Sequence, residues 1–289
     1  MNTQFPEPIP NPAREAALSA RIDAWLAHMT WRPNYASWRA GRIWQERDQA
    51  DRLATIARYA GVLPGRRILD LGAGMGGTSV ALALAGAQVR ACEYNPAYCE
   101  IIRLRAARYG LDLPVFNGAA EAIPLPDASV DAAICWDVVE HVQDPDRLLA
   151  ELARVIVPGG ALLITVINRY AFRDPHYHLP LLNWLPRPFA EAVIAVQGRS
   201  KRGVAFRDMQ RLSDMHYYTI GAFRELVASH GFSLIDIGEA RLHDGERRAT
   251  GTKGRIRDLF VSLGLDSSAY NIYRTLFQGT FELALTRSD

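Results

Sequence analysis

Three glycines and two carboxylates in the first half of the chain are arranged for binding a ribose-containing ligand. Gly72, Gly74 and Gly77 follow the pattern G-x-G-x-x-G, between an apolar segment and an alanine- and leucine-rich one. Such a loop lets the backbone approach a ligand closely, with helix-start amides facing it. Asp70 precedes the loop, and Glu93 ends the next apolar segment, where a carboxylate can accept both ribose hydroxyls.

Two ligand classes are compatible with this loop, a dinucleotide and S-adenosylmethionine, and Asp70 distinguishes them. A pyrophosphate is anionic and binds helix-start amides, so a neighbouring carboxylate opposes it. S-adenosylmethionine carries an ammonium and a sulfonium, so the same carboxylate favours it. The alternative is that Asp70 only caps the loop amides. The residues therefore favour S-adenosylmethionine and disfavour a nicotinamide-dependent oxidoreductase.

A second set of polar residues, Asp137, Glu140 and His141, follows the fourth predicted strand. The spacing i, i+3, i+4 predicts that these side chains share one face of a helix. Carboxylates and a histidine can hold a divalent metal, or His141 can act as a base toward a hydroxyl. The alternative is a structural role in ordering the helix start. No metal is expected, and these three residues are the candidate ligands if one binds.

The third set of polar residues lies at the two ends of an irregular segment after the fifth predicted strand. His176 lies near its start and His216 near its end, and both ends must return to the same edge of the sheet. We therefore predict that His176 and His216 are neighbours and that at least one serves as a base or substrate ligand. A surface or packing role is the alternative for each. The neighbouring polar residues are Tyr170, Asp174, Tyr177, His178, Tyr217 and Tyr218.

The elements that position these residues follow a βαβ rhythm. Apolar runs predict strands at 67–71, 89–93, 114–117, 130–136 and 161–168, separated by segments of helical period, which is typical of a parallel sheet. Asp144 and Pro145 are a good helix start. A later helix at 219–230 and strands at 232–238 and 280–286 complete the pattern, and the first 60 residues predict helices.

Composition and charge exclude several function classes. The 289 residues have a formal net charge of +2, with 49% hydrophobic and 22% charged residues, as in globular proteins. Near-neutral charge gives no case for nucleic-acid binding, and no apolar run is long enough to span a membrane. Three cysteines without a CxxC pair indicate a reducing compartment. We expect a cytoplasmic protein without a signal peptide.

Several motifs resemble those of class I S-adenosylmethionine-dependent methyltransferases, of the small-molecule type with Glu-His-Val after the fourth strand. They are LDLGAGMGG at 69–77, GAAEAIPLPDASVDAAICWDVVEHVQDP at 118–145 and PGG at 158–160. The resemblance covers 61–168 and, more weakly, 217–237. It implies an α/β fold, a Rossmann-like doubly wound seven-stranded sheet whose last strand is antiparallel. Related phenol O-methyltransferases of ubiquinone synthesis bind a divalent metal at a similar acidic–histidine cluster.

The resemblance assigns cofactor residues position by position. The methionine end of the cofactor would contact Asp70, Gly72, Ala73 and Gly74, and the ribose would contact Glu93. The adenine side would contact Tyr94, Ala120 and Glu121, and Trp136 would lie at the face that follows the fourth strand. One departure is Ala119, where the family commonly has an aspartate that accepts from the adenine amino group. Asn117, Glu121 or a water must accept in its place, or the affinity for the cofactor is weaker.

These observations predict one methyltransferase domain over 1–289. Its parts are a helical cover (1–60), the cofactor-binding core (61–168), a substrate-cap insertion after strand five (169–218) and a C-terminal part with a second insertion after strand six (219–289). The predicted reaction moves a methyl group from S-adenosylmethionine to a small molecule, at a hydroxyl oxygen of a phenol, sugar or secondary metabolite. The alternatives are carbon or nitrogen transfer, or a catalytically silent cofactor-binding partner module.

The first insertion is basic and bears on the substrate. Residues 169–215 hold eight Lys/Arg against four Asp/Glu. These groups either bind a carboxylate or phosphate on the substrate or its carrier, or form a solvated rim. The basic candidates are Arg187, Arg199, Lys201, Arg202, Arg207 and Arg211. Apolar surface at 181–185 and 189–196 is compatible with a lid, a lipid contact or a homodimer.

Overall fold

The computed structural model describes residues 6–30, 33–197, 210–243 and 266–289. Its helices are α1 (Pro12–Leu26), α2 (Tyr35–Ile43), α3 (Ala50–Ala60), α4 (Gly77–Leu84), α5 (Pro96–Arg108), α6 (Pro145–Val155), α7 (Arg187–Val196), α8 (Ile220–Ser229), α9 (Ile237–His243) and α10 (Asp266–Leu276). Its strands are β1 (Arg67–Leu71), β2 (Gln88–Glu93), β3 (Val115–Asn117), β4 (Val130–Cys135), β5 (Ile156–Ile167), β6 (Phe232–Asp236) and β7 (Thr280–Arg287).

The seven strands form one sheet in the order β3-β2-β1-β4-β5-β7-β6. β1 lies between β2 and β4 and is parallel to both, with Asp70 opposite Ala91 on one side and Ile134 on the other. The sheet is mixed, with its antiparallel part at the end of the chain. The predicted α/β class and seven-stranded topology are confirmed. Because β1 to β4 run parallel, their carboxyl ends share one edge, where ligands bind in such sheets.

The predicted start of α6 is also present. Asp144 caps the helix by accepting a hydrogen bond from the backbone N–H of Arg147 at 3.0 Å, and Pro145 occupies the first turn. The fifth strand begins earlier than predicted, at Ile156 and not at Ala161. Pro158, Gly159 and Gly160 end no helix; they lie inside β5, where glycines allow a local irregularity.

The chain divides into two compact units. The first comprises residues 1–136, 144–163 and 286–289. One of its hydrophobic clusters lies between β1, β2 and β4 and the helices α3, α4 and α5. Another joins Leu18, Ile22 and Leu26 of α1 to Met75 of the glycine loop and Ile101 of α5. Trp25, Trp38 and Trp44 are partly buried against that second cluster, so three of the N-terminal tryptophans contribute to packing.

The second unit comprises residues 137–143 and 164–285. Its described hydrophobic cluster contains Tyr177, Leu182, Ile194, Leu212 and Tyr217, so the first insertion has a packed interior of its own. The single-domain organisation stays a prediction. Trp31 and four of the basic candidates, Arg199, Lys201, Arg202 and Arg207, lie outside the described residues. No helix in the described ranges is long and apolar enough to cross a bilayer.

Candidate functional site

The glycine loop has the conformation that its sequence predicts. Gly72, Gly74 and Gly76 have φ of 72°, 55° and 77°, in the left-handed region that glycine adopts without strain. A Cβ at Gly76 would lie 2.8 Å from the Ile102 side chain, so this position also requires glycine for space. The amide of Gly72 donates to the carbonyl of Cys92 at 2.8 Å, which ties the loop to β2.

Asp70 lies at the end of β1 with a buried carboxylate. Burial raises the pKa of Asp70 to about 6, and the negative charge of Glu93 contributes in the same direction. A hydrogen bond from the Ser79 hydroxyl and the positive charge of Arg52 oppose this rise. A buried carboxylate held near its ionisation point gains strongly from a cationic ligand.

Glu93 connects the glycine loop to the turn after β2. Its Oε2 accepts from the backbone N–H of Gly74 at 2.8 Å, and its Oε1 accepts from the N–H of Asn95 at 2.8 Å. Burial raises the pKa of Glu93, whereas these backbone hydrogen bonds lower it. The carboxylate is thus oriented beside the loop before any ligand binds.

The predicted adenine side follows Glu93. The Asn117 amide donates to the carbonyls of Glu93 and Tyr94 at 2.9 and 2.7 Å, and the Tyr94 side chain is 78% exposed. Ala120 and Glu121 are half-buried in the loop after β3. Because the amide nitrogen of Asn117 already donates two hydrogen bonds, Oδ1 is the atom of this side chain that could accept from an adenine amino group. The chain has Ala119 where a carboxylate would otherwise accept from that group.

Arg52 is a candidate binding residue that the sequence did not reveal. Its guanidinium lies over the ring of Trp136, 4.7 Å from the centroid, and its Nη1 is 3.4 Å from the Thr78 hydroxyl. Its positive charge also lowers the pKa of Asp70. An arginine beside a buried carboxylate can bind the carboxylate of an amino acid while the aspartate binds its ammonium. On sequence alone, an exposed arginine of an amphipathic helix gives no such signal.

The segment after β4 corrects one prediction. Residues 139–141 form a turn, closed by the N–H of His141 donating to the carbonyl of Val138 at 2.8 Å, and not the helical face that the spacing predicted. Asp137 has φ of 57°, an uncommon value for a residue other than glycine. Its N–H donates to the Thr165 hydroxyl at 2.7 Å, and that hydroxyl donates back to its carboxylate at 3.1 Å.

The turn buries Glu140 and places it in a different metal-ligand set. One ligand atom each of Glu140, His141 and His176 lies within 4.8 Å of the others, so the geometric group contains His176 and not Asp137. Burial raises the pKa of Glu140 to about 8, and the charge of Asp137 adds to this effect. The Oε2 atom of Glu140 is buried and has no hydrogen-bond partner in the described ranges. An orphaned carboxylate oxygen beside two imidazoles suits a divalent metal.

His176 is oriented by a buried aspartate and a tyrosine. Asp174 accepts from the backbone N–H of His176 at 2.9 Å and from the Tyr217 hydroxyl at 2.9 Å. The same hydroxyl lies 3.3 Å from Nδ1 of His176, and the His176 ring meets His141 edge-on with centroids 5.5 Å apart. The two ends of the insertion therefore meet, as predicted.

His216 contributes to this region through its main chain. Its N–H donates to the carbonyl of Glu140 at 3.1 Å, and its side chain is half-buried. His141 in turn is held by Gln210, whose amide oxygen lies 3.1 Å from Nδ1 of the ring. Of the three predicted histidines, the structure places His141 and His176 in ring contact.

Comparison with known proteins identifies the part of the chain that carries the glycine loop. The family described as "Methyltransferase domain" matches residues 69–164. Residues 69–164 are a methyltransferase domain. This match confirms the predicted family over those residues, whereas the Glu-His-Val subgroup stays a prediction. Asp70, the glycine loop, Glu93, Trp136 and Glu140 all lie within the methyltransferase domain.

The curated relatives match part of their own length. The ubiquinone biosynthesis O-methyltransferase of Aeromonas salmonicida is 37% identical over 120 residues, which is 41% of this chain and 50% of that protein. A probable S-adenosylmethionine-dependent methyltransferase of Mycolicibacterium smegmatis is 30% identical over 184 residues, 62% of this chain and 65% of the relative. The chain thus spans about half the length of the first of these relatives and about two thirds of the second.

Solved structures of methyltransferases share the fold of the chain. An S-adenosylmethionine-dependent methyltransferase from Mesorhizobium loti has a TM-score of 0.52 at 17% identity, covering 83% of this chain and 99% of that one. Magnesium protoporphyrin IX methyltransferase from Synechocystis PCC 6803, solved with bound SAH, also has 0.52 at 16% identity, covering 95% and 96%. At these identities the likeness concerns the fold.

Proposed function

We propose that the chain transfers a methyl group from S-adenosylmethionine to a hydroxyl oxygen of a small molecule. One observation carries this proposal: within the methyltransferase domain, two buried carboxylates, Asp70 and Glu93, are held at one glycine loop. A buried acid beside the loop opposes a pyrophosphate and favours a sulfonium and ammonium ligand. The O-methyltransferase names of the curated relatives support the acceptor class.

The cofactor residues would act by binding and orienting. Asp70 would bind the ammonium, Arg52 the carboxylate of the methionine end, and Glu93 the two ribose hydroxyls. Gly74 has positive φ and, beyond its chain neighbours, no described protein atom within 4 Å of the position that a Cβ would take, so a nucleoside could approach the backbone closely there. When bound, S-adenosylmethionine supplies the methyl group on its sulfonium, so positioning of the acceptor contributes most of the rate.

His141, His176 and Glu140 are the proposed acceptor-side residues. With a pKa of about 8, Glu140 is mostly protonated at neutral pH, so it would donate a hydrogen bond while a histidine accepts the hydroxyl proton. The alternative is a divalent metal on the same three residues, which their spacing within 4.8 Å supports. Metal chelation distinguishes them: loss of turnover in EDTA that Mg²⁺ or Zn²⁺ restores supports the metal.

The proposal is tested by cofactor binding and product formation. Calorimetry should show binding of S-adenosylmethionine and none of NAD. Incubation with a panel of phenols, sugars and cell extracts should release S-adenosylhomocysteine. Tight NAD binding without S-adenosylmethionine binding refutes the cofactor, whereas cofactor binding without product from any acceptor supports a silent partner module.

The affinity for S-adenosylmethionine should depend on pH through Asp70. Burial raises the pKa of this group to about 6, so its ionised form, which attracts the ligand, is lost as pH falls through 6. We expect the dissociation constant to rise about tenfold from pH 7 to pH 5, in proportion to the ionised fraction. Asp70→Asn should bind weakly at both pH values. A wild-type affinity that is constant across this range contradicts the role of Asp70.

Replacing His176 with glutamine should lower kcat about 100-fold and leave S-adenosylmethionine affinity unchanged, because general-base groups contribute factors of this order. His141→Gln should have a similar effect, since the two rings are in contact. His230→Gln, at the end of α8, is the matched control. If the His141 and His176 variants both turn over as fast as wild type, neither histidine acts in the methyl transfer.

A further inference from the structure

Two arginines of the second unit, Arg169 and Arg187, have a buried guanidinium nitrogen, Nη1 in each, without a hydrogen-bond partner and form no ion pair among the described residues. Arg274 also has an unpartnered Nε, but its guanidinium is paired with Asp236 at 3.0 Å. A buried polar group without a partner costs free energy, and a buried charge costs more. Two such groups in one unit call for a ligand, and a ligand for guanidinium is an anion.

The chain brings both arginines to the same two-residue segment. Arg169 directly follows β5, and its backbone N–H donates to the carbonyl of Tyr218 at 2.8 Å. Arg187 begins α7, and its guanidinium carbon lies 4.6 Å from the centroid of the Tyr217 ring. A long 3.5 Å contact joins its Nη2 to the carbonyl of Met215. Arg169 therefore contacts this segment through its backbone and Arg187 through its guanidinium, and the charge of Arg169 acts on that of Arg187.

No described carboxylate neutralises this pair through a hydrogen bond. Burial lowers the pKa of Arg187, and the neighbouring charge of Arg169 lowers it further. Asp174 and Glu191 raise the pKa of Arg187, but these carboxylates accept their described hydrogen bonds from other groups. Asp174 accepts from the Tyr217 hydroxyl and from the His176 and Tyr177 amides, and Glu191 accepts from the Ser213 amide.

We propose that Arg169 and Arg187 bind an oxyanion, a carboxylate or phosphate, carried by the methyl acceptor. This inference rests on the proposed function and narrows its substrate class to hydroxy compounds with an acidic group. A guanidinium offers parallel donors that match both oxyanions. Tyr217 joins the two ends of the site, because Arg187 stacks on its ring while its hydroxyl lies 3.3 Å from His176.

The arginines and the histidines of the second unit would then have different roles. The arginines would hold the acidic group, and His176, which lies beside the Tyr217 hydroxyl, would face the hydroxyl of the acceptor together with His141. A planar aromatic acid with a ring hydroxyl has this arrangement of groups. Arg169 and Arg187 would then be specificity-determining residues, which lower KM for acidic acceptors and have little effect on neutral ones.

The anion site can be tested without any methyl transfer. Benzoate and inorganic phosphate are titrated into the full chain by calorimetry, with wild type, Arg169→Met, Arg187→Met and the control Arg224→Met, which alters an exposed residue of α8. We expect one of the two anions to bind wild type and control, and to bind each arginine variant about 10- to 100-fold more weakly. The anion that binds identifies carboxylate or phosphate as the recognised group.

Thermal unfolding gives a second, independent readout. Methionine removes a buried charge that has no described carboxylate hydrogen-bonded to it, so Arg187→Met should unfold at the same or a higher temperature than wild type in the absence of ligand. The binding anion should raise the unfolding temperature of wild type and not that of the variant. Absence of binding by both anions, or equal binding in all four proteins, overturns the inference.

A third arm separates this inference from the proposed function. Catechol and 3,4-dihydroxybenzoate differ by one carboxylate, and S-adenosylhomocysteine release is measured with each. Preference for the acid that disappears in Arg187→Met supports both proposals. If both compounds give no product while benzoate binding still depends on the two arginines, the acceptor chemistry fails and the anion site stands. Equal use of both compounds by wild type overturns the assignment of the anion to the acceptor.

Discussion

Replacing Glu46 with alanine is expected to lower the free energy of unfolding by about 3–5 kcal/mol, because it leaves two buried arginines without their shared carboxylate. Arg105 and Arg108 are fully buried, and both form ion pairs with Glu46, the second at 2.6 Å. Burial alone would raise the pKa of Glu46, but the charges of both arginines outweigh it and lower the pKa below its usual value. Denaturant unfolding measures the difference.

The matched control for this prediction lies on the same helix as the arginines. Glu100→Ala removes a half-exposed ion pair, Arg21–Glu100 at 2.8 Å, and should cost about 0–1 kcal/mol. The stabilisation by Glu46 should be present above pH 4.5, the ordinary pKa, and be lost as pH falls through the lower folded-state value. A Glu46→Ala variant as stable as Glu100→Ala would show that the buried network contributes little.

The same network contacts the glycine loop, so Glu46→Ala should also lower the affinity for the cofactor. Nε of Arg105 donates to the carbonyl of Met75 at 2.8 Å, and its Nη1 donates to the carbonyl of Ile43 at 2.9 Å. The N-terminal helices and the loop are therefore joined through one side chain. The predicted helical cover thus has a demonstrable connection to the loop, through a contact that composition does not reveal.

Local patterns were sufficient to predict the sheet and the loop. The loop needs positive φ at positions 72 and 74, and glycine is the residue that adopts it without strain. Strands that are buried on both faces need apolar residues throughout, so both features can be read from the residue types. Glu93 was predictable for the same reason, since it ends the strand next to β1. These features depend on residues close in the chain or on the regular spacing of strands.

Long-range polar contacts were not predictable in this way. Arg105 and Arg108 of α5 are fully buried, whereas the apolar Leu104 of the same helix is only partly buried. Their burial depends on Glu46, about 60 positions earlier, which no local period indicates. The turn at 139–141 was mistaken for a helix because the i, i+3, i+4 spacing does not distinguish the two.

Glu93→Ala is expected to weaken S-adenosylmethionine binding by about 10²–10⁴-fold. Two charge-assisted hydrogen bonds to the ribose hydroxyls would be lost, each contributing about 1.5–3 kcal/mol. The variant also removes the acceptor of the Gly74 and Asn95 amides, so the loop loses its orientation. Glu93→Gln retains the shape and one acceptor oxygen, so its loss should be smaller. Calorimetry on both variants measures the difference, with Glu100→Ala as control.

Methylthioadenosine separates the role of Glu93 from that of Asp70, because it keeps the ribose and lacks the amino acid. Glu93→Ala should weaken binding of both methylthioadenosine and S-adenosylmethionine, whereas Asp70→Asn should weaken only the latter. Since both carboxylates are buried at one loop, a general disruption of the loop would reduce binding of both ligands in both variants. The selective pattern therefore tests recognition of the ligand and not folding of the loop, and equal losses for both ligands in Asp70→Asn would contradict the assignment of Asp70 to the methionine end.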